Sequence, residues 1–208
     1  MKKLFLGVFA SGRGSNFEAI LEAIREGRLD AEARLLLSNE QDAGALSVAK
    51  NYGVPTAIVS KTDFTSRELF VETMLSTLKD HGVGFIALAG YMKKIPPEVI
   101  LTYRNRIVNI HPALLPSFGG KGLYGYYVHE AVLARGCKIT GVTVHIVDEV
   151  YDHGPIVAQR CVPVEEGDTP ESLAARVLKV EHQIYAETLQ LFAEGRVEVR
   201  ENRVLIKK

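Results

Sequence analysis

The segment Asn109-Ile110-His111-Pro112 closes a short apolar run and carries the residue types best suited to chemistry in this chain. Because side chains alternate along a strand, Asn109 and His111 are predicted to project to the same side. An amide and an imidazole in that arrangement could hold one carbonyl group between a hydrogen-bond donor and a proton carrier. The alternative is a strand end that happens to carry two polar residues.

Asp152 lies in a turn before Gly154-Pro155 and adds a carboxylate to this pair. The three groups suit a reaction that forms and collapses a tetrahedral centre, in which the carboxylate would hold the imidazole and raise its pKa. On composition alone, Asp152 could also be a simple turn residue. No serine or cysteine follows a nucleophile-elbow pattern, so direct transfer from a donor to an acceptor is favoured over a covalent acyl-enzyme.

Alternating apolar segments indicate the elements that must position these residues. The first half of the chain alternates strand-like and helical patterns, which predicts a parallel sheet with right-handed crossovers. The predicted strands lie at residues 4–9, 35–37, 56–59, 85–89 and 107–110.

The pattern changes after His111. Residues 139–147 and 156–164 are predicted to form an antiparallel pair, and Thr169-Pro170 begins a long helix. We therefore expect an α/β fold with a Rossmann-like open twisted sheet. Its N-terminal half would be parallel, its C-terminal extension mixed or antiparallel, and helices would cover both faces.

The length of 208 residues suits one sizeable core, and no linker divides the chain. We predict a single domain over residues 1–208. Within it, residues 1–110 would form a phosphate-binding βαβ half. Residues 111–208 would hold the catalytic loop, the strand pair and the long helix.

Composition narrows the class of partner. Lys+Arg and Asp+Glu are both 25, so no net field favours nucleic acid or a membrane. The two cysteines lack metal or redox spacing, and no histidine pair has the spacing of metal ligands, so we expect no metal. The apolar run at residues 4–10 is too short for a signal peptide, which makes the cytoplasm the expected compartment.

Residues 12–16, Gly-Arg-Gly-Ser-Asn, form a loop between the first strand and the first helix; we call it the phosphate loop. Free amides and the helix dipole at such a position favour an anion. A dinucleotide fingerprint is the alternative, but Phe17 occupies the place of its third glycine, where close packing needs a small residue. A single phosphate group is therefore preferred to a dinucleotide or a purely structural turn.

Four motifs occur together in matching order: Ser11 to Asn16, Leu88 to Met92, Asn109 to Pro116 and Asp148 to Pro155. Together they resemble the phosphoribosylglycinamide formyltransferase family over nearly the whole chain. The resemblance implies transfer of a formyl group from 10-formyltetrahydrofolate to glycinamide ribonucleotide in purine (IMP) biosynthesis. It implies these two small molecules as partners, without nucleic acid or membrane, and a monomer or homodimer.

The resemblance also implies a role for each matching residue. Asn109 and His111 would grip the formyl oxygen, while Asp152 would keep His111 protonated and help to pass a proton to the folate nitrogen. The ribonucleotide would be bound by Gly14, Ser15, Asn16 and Glu181, with Glu181 facing the glycinamide end. The folate would contact Arg67, Met92, Lys93, Lys94, Ile95, Asn109, Asp148, Glu149, Val150 and Tyr151.

Some positions depart from the family pattern or stay open. Residues 119–127 form a longer, Tyr-rich stretch, and no role is assigned to it, to His129 or to His153. His145 could be a satisfied supporting residue or act directly.

Three other functions are alternatives to formyl transfer to the ribonucleotide. Formyltetrahydrofolate deformylases share the three reactive residues but carry an additional N-terminal module. Methionyl-tRNA formyltransferases add a C-terminal domain. A non-catalytic nucleotide-binding module would need only the phosphate loop.

Overall fold

The computed structural model describes residues 3–207 and contains a seven-stranded sheet and a two-stranded hairpin. The sheet strands are β1 (Leu4–Phe9), β2 (Ala31–Ser38), β3 (Thr56–Ile58), β4 (Phe85–Leu88), β5 (Ile107–His111), β6 (Ile139–Ile146) and β7 (Ile156–Pro163). The helices are α1 (Ser15–Arg25), α2 (Gly44–Tyr52), α3 (Arg67–Asp80), α4 (Pro97–Thr102), α5 (Tyr126–Ala134) and α6 (Pro170–Ala193). The hairpin is formed by β8 (Val197–Arg200) and β9 (Arg203–Ile206).

The strand order of the sheet is β3-β2-β1-β4-β5-β6-β7. The first five strands pair in parallel, whereas β6 is antiparallel to β5 and β7 is antiparallel to β6. The predicted mixed α/β sheet is thus confirmed, with the change of direction directly after His111. Successive connections run to opposite sides of β1, which creates a crevice at the carboxyl ends of β1 and β4.

Both faces of the sheet are covered, and the period of two along each strand decides which side chain packs on which face. In β4, Phe85 and Ala87 join the cluster beneath α1, α2, α5 and α6. Ile86 and Leu88 join the opposite cluster, beneath α3 and α4. The central strands are therefore apolar on both sides, as expected for a parallel sheet between helices.

Helix α6 is fixed at its start and at its middle. Thr169 caps its N-terminus by accepting a hydrogen bond from the Ser172 amide at 3.3 Å, and Pro170 occupies the first turn, as predicted. Further along, the buried Tyr185 hydroxyl lies 2.8 Å from the carbonyl oxygen of Leu88 at the end of β4. Glu181 stands one helical turn before Tyr185 and shares its face, so this anchor brings Glu181 to the crevice.

Candidate active site

A cavity of about 460 Å³ lies in the crevice at the carboxyl ends of the strands. Asn109, His111 and Asp152 line it together with Asn16 and Glu181. Its volume is in the range of small-molecule sites. The structure therefore brings together the three residues of the predicted reactive set and two of the residues predicted to bind a ribonucleotide.

His111 is almost completely buried, and its hydrogen bonds define its tautomer. Its Nε2 lies 2.8 Å from the carbonyl oxygen of Phe118. Because a carbonyl oxygen can only accept, Nε2 must carry a proton and donate it. The other nitrogen, Nδ1, lies 3.7 Å from Asp152 Oδ2. Nδ1 is therefore the atom of His111 that can gain or lose a proton within the site.

The pKa of His111 lies below its ordinary value. Burial is the largest cause, since it disfavours the charged imidazolium; the Asp152 carboxylate and the Phe118 carbonyl raise the pKa but do not offset burial. The expectation that Asp152 would raise the pKa of His111 is correct for the direction of that one interaction and wrong for the net result. The sequence could not show how deeply the ring is buried.

Asp152 keeps its negative charge although it lies inside the site. Burial raises the pKa of its carboxyl, but contact with His145, the charge of His111 and the Gly120 amide together bring the pKa below its ordinary value. The Gly120 amide donates to Oδ2 at 2.9 Å, and His145 Nε2 lies 3.6 Å from Oδ1. The Gly120 amide at Oδ2 and the Asn109 side-chain amide at Oδ1 thus hold the carboxylate from two sides.

His145 orients the amide of Asn109. The two residues face each other across the β5–β6 pair, and Asn109 Nδ2 lies 3.2 Å from His145 Nε2. His145 Nδ1 lies 3.0 Å from the Ile146 carbonyl oxygen and therefore donates to it, so Nε2 is the ring nitrogen that can accept from Asn109. The NH₂ end of Asn109 consequently faces the site. Its second hydrogen is donated to Asp152 Oδ1 over 3.5 Å, a long hydrogen bond that a ligand oxygen would replace.

The phosphate loop leads into α1 with its amides unoccupied by side-chain caps. Gly14 is the N-cap of α1, has a φ of 86°, and makes no side-chain cap hydrogen bond. A Cβ atom at Gly14 would lie 2.7 Å from the Cα of Ala45, so only glycine fits both the conformation and the space. The first amides of α1 can therefore donate hydrogen bonds to an anion.

Asn16 extends from α1 to Glu181 rather than toward the loop. Its Nδ2 donates to Glu181 Oε2 at 2.6 Å. Burial raises the pKa of Glu181, and the hydrogen bond from Asn16 offsets part of that shift. Within residues 3–207, the buried Oδ1 of Asn16 has no hydrogen-bond partner. The pair thus presents two oxygen atoms to a ligand that carries N–H groups.

Known proteins resemble this chain in sequence and in fold. A family model described as formyl transferase matches residues 5–189. The chain belongs to the formyl transferase family. Among solved structures, glycinamide ribonucleotide transformylase 1 from Symbiobacterium toebii matches with a TM-score of 0.93 and 39% identity, covering 99% of this chain and 95% of that one.

Curated members of the formyl transferase family match over most of this chain. Phosphoribosylglycinamide formyltransferase from Bacillus subtilis is 38% identical over 91% of this chain and 94% of its own length. The chloroplastic phosphoribosylglycinamide formyltransferase from Vigna unguiculata is 46% identical over 96% of this chain, which spans 64% of that relative. A formyltetrahydrofolate deformylase from Pseudomonas syringae has a TM-score of 0.88 and 26% identity, covering all of this chain and 67% of the deformylase.

Most of the predicted folate contacts surround the cavity of this formyl transferase family member. Met92, Lys93, Lys94, Ile95, Asn109, Asp148, Val150 and Tyr151 line it, whereas Arg67 and Glu149 do not. Of the predicted ribonucleotide contacts, Gly14 and Ser15 also lie outside its lining. Arg67 lies in a separate groove beside α3 and α4, where its guanidinium donates two hydrogen bonds of 2.7 Å to Glu98.

The Tyr-rich stretch forms a wall of the cavity that the sequence did not reveal. Residues 120–125 line the cavity. The carbonyl oxygen of Phe118 contacts His111, and the amide of Gly120 donates to Asp152. His129 is buried in α5, and burial lowers its pKa to about 4. His153 turns away from the cavity's reactive residues and pairs with Asp148 at 2.7 Å.

In residues 3–207, no group of three histidine, cysteine, aspartate or glutamate side chains is placed to hold a metal ion. None of the helices described there is long and apolar enough to cross a membrane.

Proposed function

We propose that this chain transfers the formyl group of 10-formyltetrahydrofolate to the amine of glycinamide ribonucleotide in purine biosynthesis. The observation that carries the proposal is the convergence of Asn109, His111 and Asp152 with Asn16 and Glu181 on one cavity. The first three suit a tetrahedral centre, and the other two suit an amine. Relatives named phosphoribosylglycinamide formyltransferase support the same reaction.

The ribonucleotide would lie between the phosphate loop and α6. Its phosphate would accept hydrogen bonds from the amides at Gly14, Ser15 and Asn16, where the N-terminus of α1 favours an anion. The Asn16 side chain already bonds Glu181 at 2.6 Å, so its backbone is the better phosphate ligand. Glu181 Oε atoms and Asn16 Oδ1 would receive the N–H groups of the glycinamide end.

The folate would occupy the other side of the cavity. The backbone and side chains of residues 92–95 would contact it, as would the loop of residues 148–151. Among the exposed apolar residues of the protein are Met92, Val150 and Tyr151 at the cavity wall, each about half exposed, and an aromatic ligand would cover them. Arg67 would reach the folate only at a distal end, because it lies outside this cavity and is paired with Glu98.

The reaction would proceed by direct attack. The lone pair of the amine attacks the formyl carbon, and the carbonyl oxygen becomes an oxyanion that accepts hydrogen bonds from Asn109 Nδ2 and protonated His111 Nδ1. Collapse of the tetrahedral intermediate re-forms the carbonyl and breaks the bond to the folate nitrogen. The proton lost by the amine passes to that nitrogen, with Asp152 and a water molecule as carriers.

The lowered pKa of His111 fits this sequence of events. The ring is mostly neutral at neutral pH, because burial disfavours the imidazolium. Negative charge on the formyl oxygen would favour the proton on Nδ1, so the stabilising charge would be strongest in the intermediate. Interactions that strengthen only as the transition state forms are those that accelerate a reaction.

Formyl release can be followed with and without the acceptor. We expect tetrahydrofolate to form from 10-formyltetrahydrofolate only when glycinamide ribonucleotide is present. Release that ignores the ribonucleotide would instead identify a deformylase, a function that the similarity to the Pseudomonas syringae protein makes the second candidate. No release under either condition would contradict both and leave a binding module.

The compartment and the assembly stay predictions. The sequence favours the cytoplasm, whereas the Vigna unguiculata relative is named as chloroplastic. A monomer or a homodimer remains the expected state of assembly.

A further inference from the structure

Ser11 connects the ends of three strands through one hydroxyl group. Its Oγ accepts a hydrogen bond from the Met92 amide at 2.8 Å and donates one to Asn39 Oδ1. The direction of the second bond is fixed, because the NH₂ end of Asn39 donates to Glu40 Oε1 at 2.6 Å. The hydroxyl therefore uses its one hydrogen and accepts the Met92 amide with a lone pair.

The backbone of Ser11 holds the same neighbouring segment a second time. The Ser11 amide donates to the carbonyl oxygen of Gly90 at 3.0 Å. Gly90 turns the chain with a φ of 79°, and the next residue, Tyr91, packs edge-on against Phe9 with ring centres 5.3 Å apart. Residues 90–95, which we call the donor segment, are thus fastened to β1 on both sides of Tyr91.

Ser11 is also the residue that enters the phosphate loop. The carbonyl oxygen of Gly12 accepts a hydrogen bond from the Ala45 amide at 3.1 Å. Gly44 packs so closely on the backbone of Arg13 that a Cβ atom there would lie 3.1 Å from it. Since α2 clamps the loop in this way, little backbone freedom separates Ser11 from the amides at the start of α1.

We propose that Ser11 is a positioning residue that couples binding on the two sides of the cavity. A ligand phosphate in the phosphate loop would restrict the backbone at Ser11 and so hold the donor segment in place for the folate. Ser11 touches neither ligand; it acts through the Met92 amide. The inference rests on the proposed function, because it assigns the phosphate loop and the donor segment to two different substrates.

Binding measurements with Ser11→Ala test the coupling. The probes are tetrahydrofolate, which carries no formyl group to transfer, and glycinamide ribonucleotide. We expect the ribonucleotide to tighten tetrahydrofolate binding by the wild-type protein, and Ser11→Ala to abolish most of this effect. Loss of one neutral hydrogen bond should also weaken tetrahydrofolate binding about two- to tenfold. Because the coupling between two ligands is reciprocal, tetrahydrofolate should tighten ribonucleotide binding by the same factor, and Ser11→Ala should abolish that effect to the same extent.

A matched serine and a conservative change serve as controls. Ser60→Ala removes an exposed hydroxyl whose hydrogen-bond partner is Thr62, so affinity and coupling should stay at wild-type values. Ser11→Thr keeps the hydroxyl and should recover most of the coupling. In the unliganded protein, hydrogen exchange at the Met92 amide should accelerate in Ser11→Ala and not in Ser60→Ala.

The outcomes separate this inference from the proposed function. A wild-type protein that binds neither ligand would contradict the proposed function and the coupling with it. A wild-type protein that binds both ligands, with coupling unchanged in Ser11→Ala, would overturn the role of Ser11 alone. Unchanged exchange at the Met92 amide would overturn it as well, whatever the ligands do.

Discussion

The two sides of the candidate site are built from different chemical groups. The phosphate loop relies on backbone amides and on the conformation of Gly14, and no side chain caps α1. The catalytic cluster around His111 relies on buried titratable side chains, with the Asp152 carboxylate within 4 Å of the rings of both His111 and His145. The first region should therefore respond to backbone geometry, whereas the second should respond to protonation and burial.

This contrast has a physical origin. A backbone amide keeps its N–H donor at every pH. A site made of amides therefore depends on the backbone adopting the required conformation. An imidazole or a carboxylate changes charge with pH, and burial shifts the pH at which it does so. Substitutions in the phosphate loop should consequently act through backbone conformation, whereas substitutions in the catalytic cluster should change the dependence on pH.

The largest effect is expected from His111→Ala, which removes the proton-carrying group of the cluster. We expect kcat for formyl transfer to fall about 10²–10⁴-fold, the contribution typical of a positioned acid or base. The affinity for glycinamide ribonucleotide should be nearly unchanged, because the phosphate loop is not touched. Steady-state kinetics and calorimetric titration of the ribonucleotide measure the two quantities.

A second histidine provides the control for His111→Ala. His81 follows the end of α3 and precedes β4, so it lies at the amino ends of the parallel strands, opposite the cavity. One of its ring nitrogens lies 2.8 Å from the carbonyl oxygen of Thr77. His81→Ala should retain wild-type kcat. If His111→Ala lost ribonucleotide affinity as strongly as kcat, the separation between the two regions would be wrong.

The next effect concerns the stability of the region that holds the catalytic cluster. Burial lowers the pKa of His129 to about 4 from the ordinary value of 6.5. The folded protein therefore resists taking up a proton that the unfolded chain binds below pH 6.5. At about 1.4 kcal/mol per pH unit, this difference should cost about 3 kcal/mol of unfolding free energy as the pH falls to 4.

Replacing His129 should remove that part of the acid sensitivity. His129→Gln is neutral at every pH, so its unfolding free energy should decline less steeply than that of the wild type as the pH falls below 6.5. Above that pH the two curves should run parallel, since His129 is neutral in both states. Denaturant unfolding over this pH range measures the difference, and parallel curves throughout would show that His129 does not resist protonation.

The fold could be predicted from the sequence because local patterns determine it. The apolar runs that form β1, β4 and β5 lie between helical segments, and the antiparallel pair after His111 was visible from alternation. The placement of Asn109 and His111 on the same side of a strand end could be predicted because side chains alternate along a strand. Thr169-Pro170 marked the start of α6 because capping is also a local signal.

The missing parts of the site depend on contacts between distant residues. The hydrogen bond from His111 to the Phe118 carbonyl depends on the path of a loop, and no local pattern encodes it. The net pKa of His111 depends on burial by the whole fold, which outweighs the raising effect of Asp152 that the sequence correctly indicated. The pairing of Arg67 with Glu98 could not be foreseen, since 31 positions separate them.

The smallest effect is expected in the phosphate loop and tests the backbone side of the comparison. Gly14→Ala places a side chain at a φ of 86° and brings its Cβ to 2.7 Å from Ala45 Cα. Gly27→Ala is the matched control, because Gly27 has a φ of 72° with no atom within 4 Å of the new Cβ. Gly27→Ala should lose about 1–2 kcal/mol of unfolding free energy, the cost of a left-handed alanine. Gly14→Ala should lose more than this control, because its Cβ also meets the backbone of Ala45. Only Gly14→Ala should lose affinity for glycinamide ribonucleotide, about tenfold. The ratio of its Kd to the wild-type Kd should be the same at mildly acidic and mildly alkaline pH, because the substitution changes no titratable group. Calorimetric titration of both variants decides it, and equal ribonucleotide affinity in Gly14→Ala and Gly27→Ala would remove the phosphate loop from the binding site.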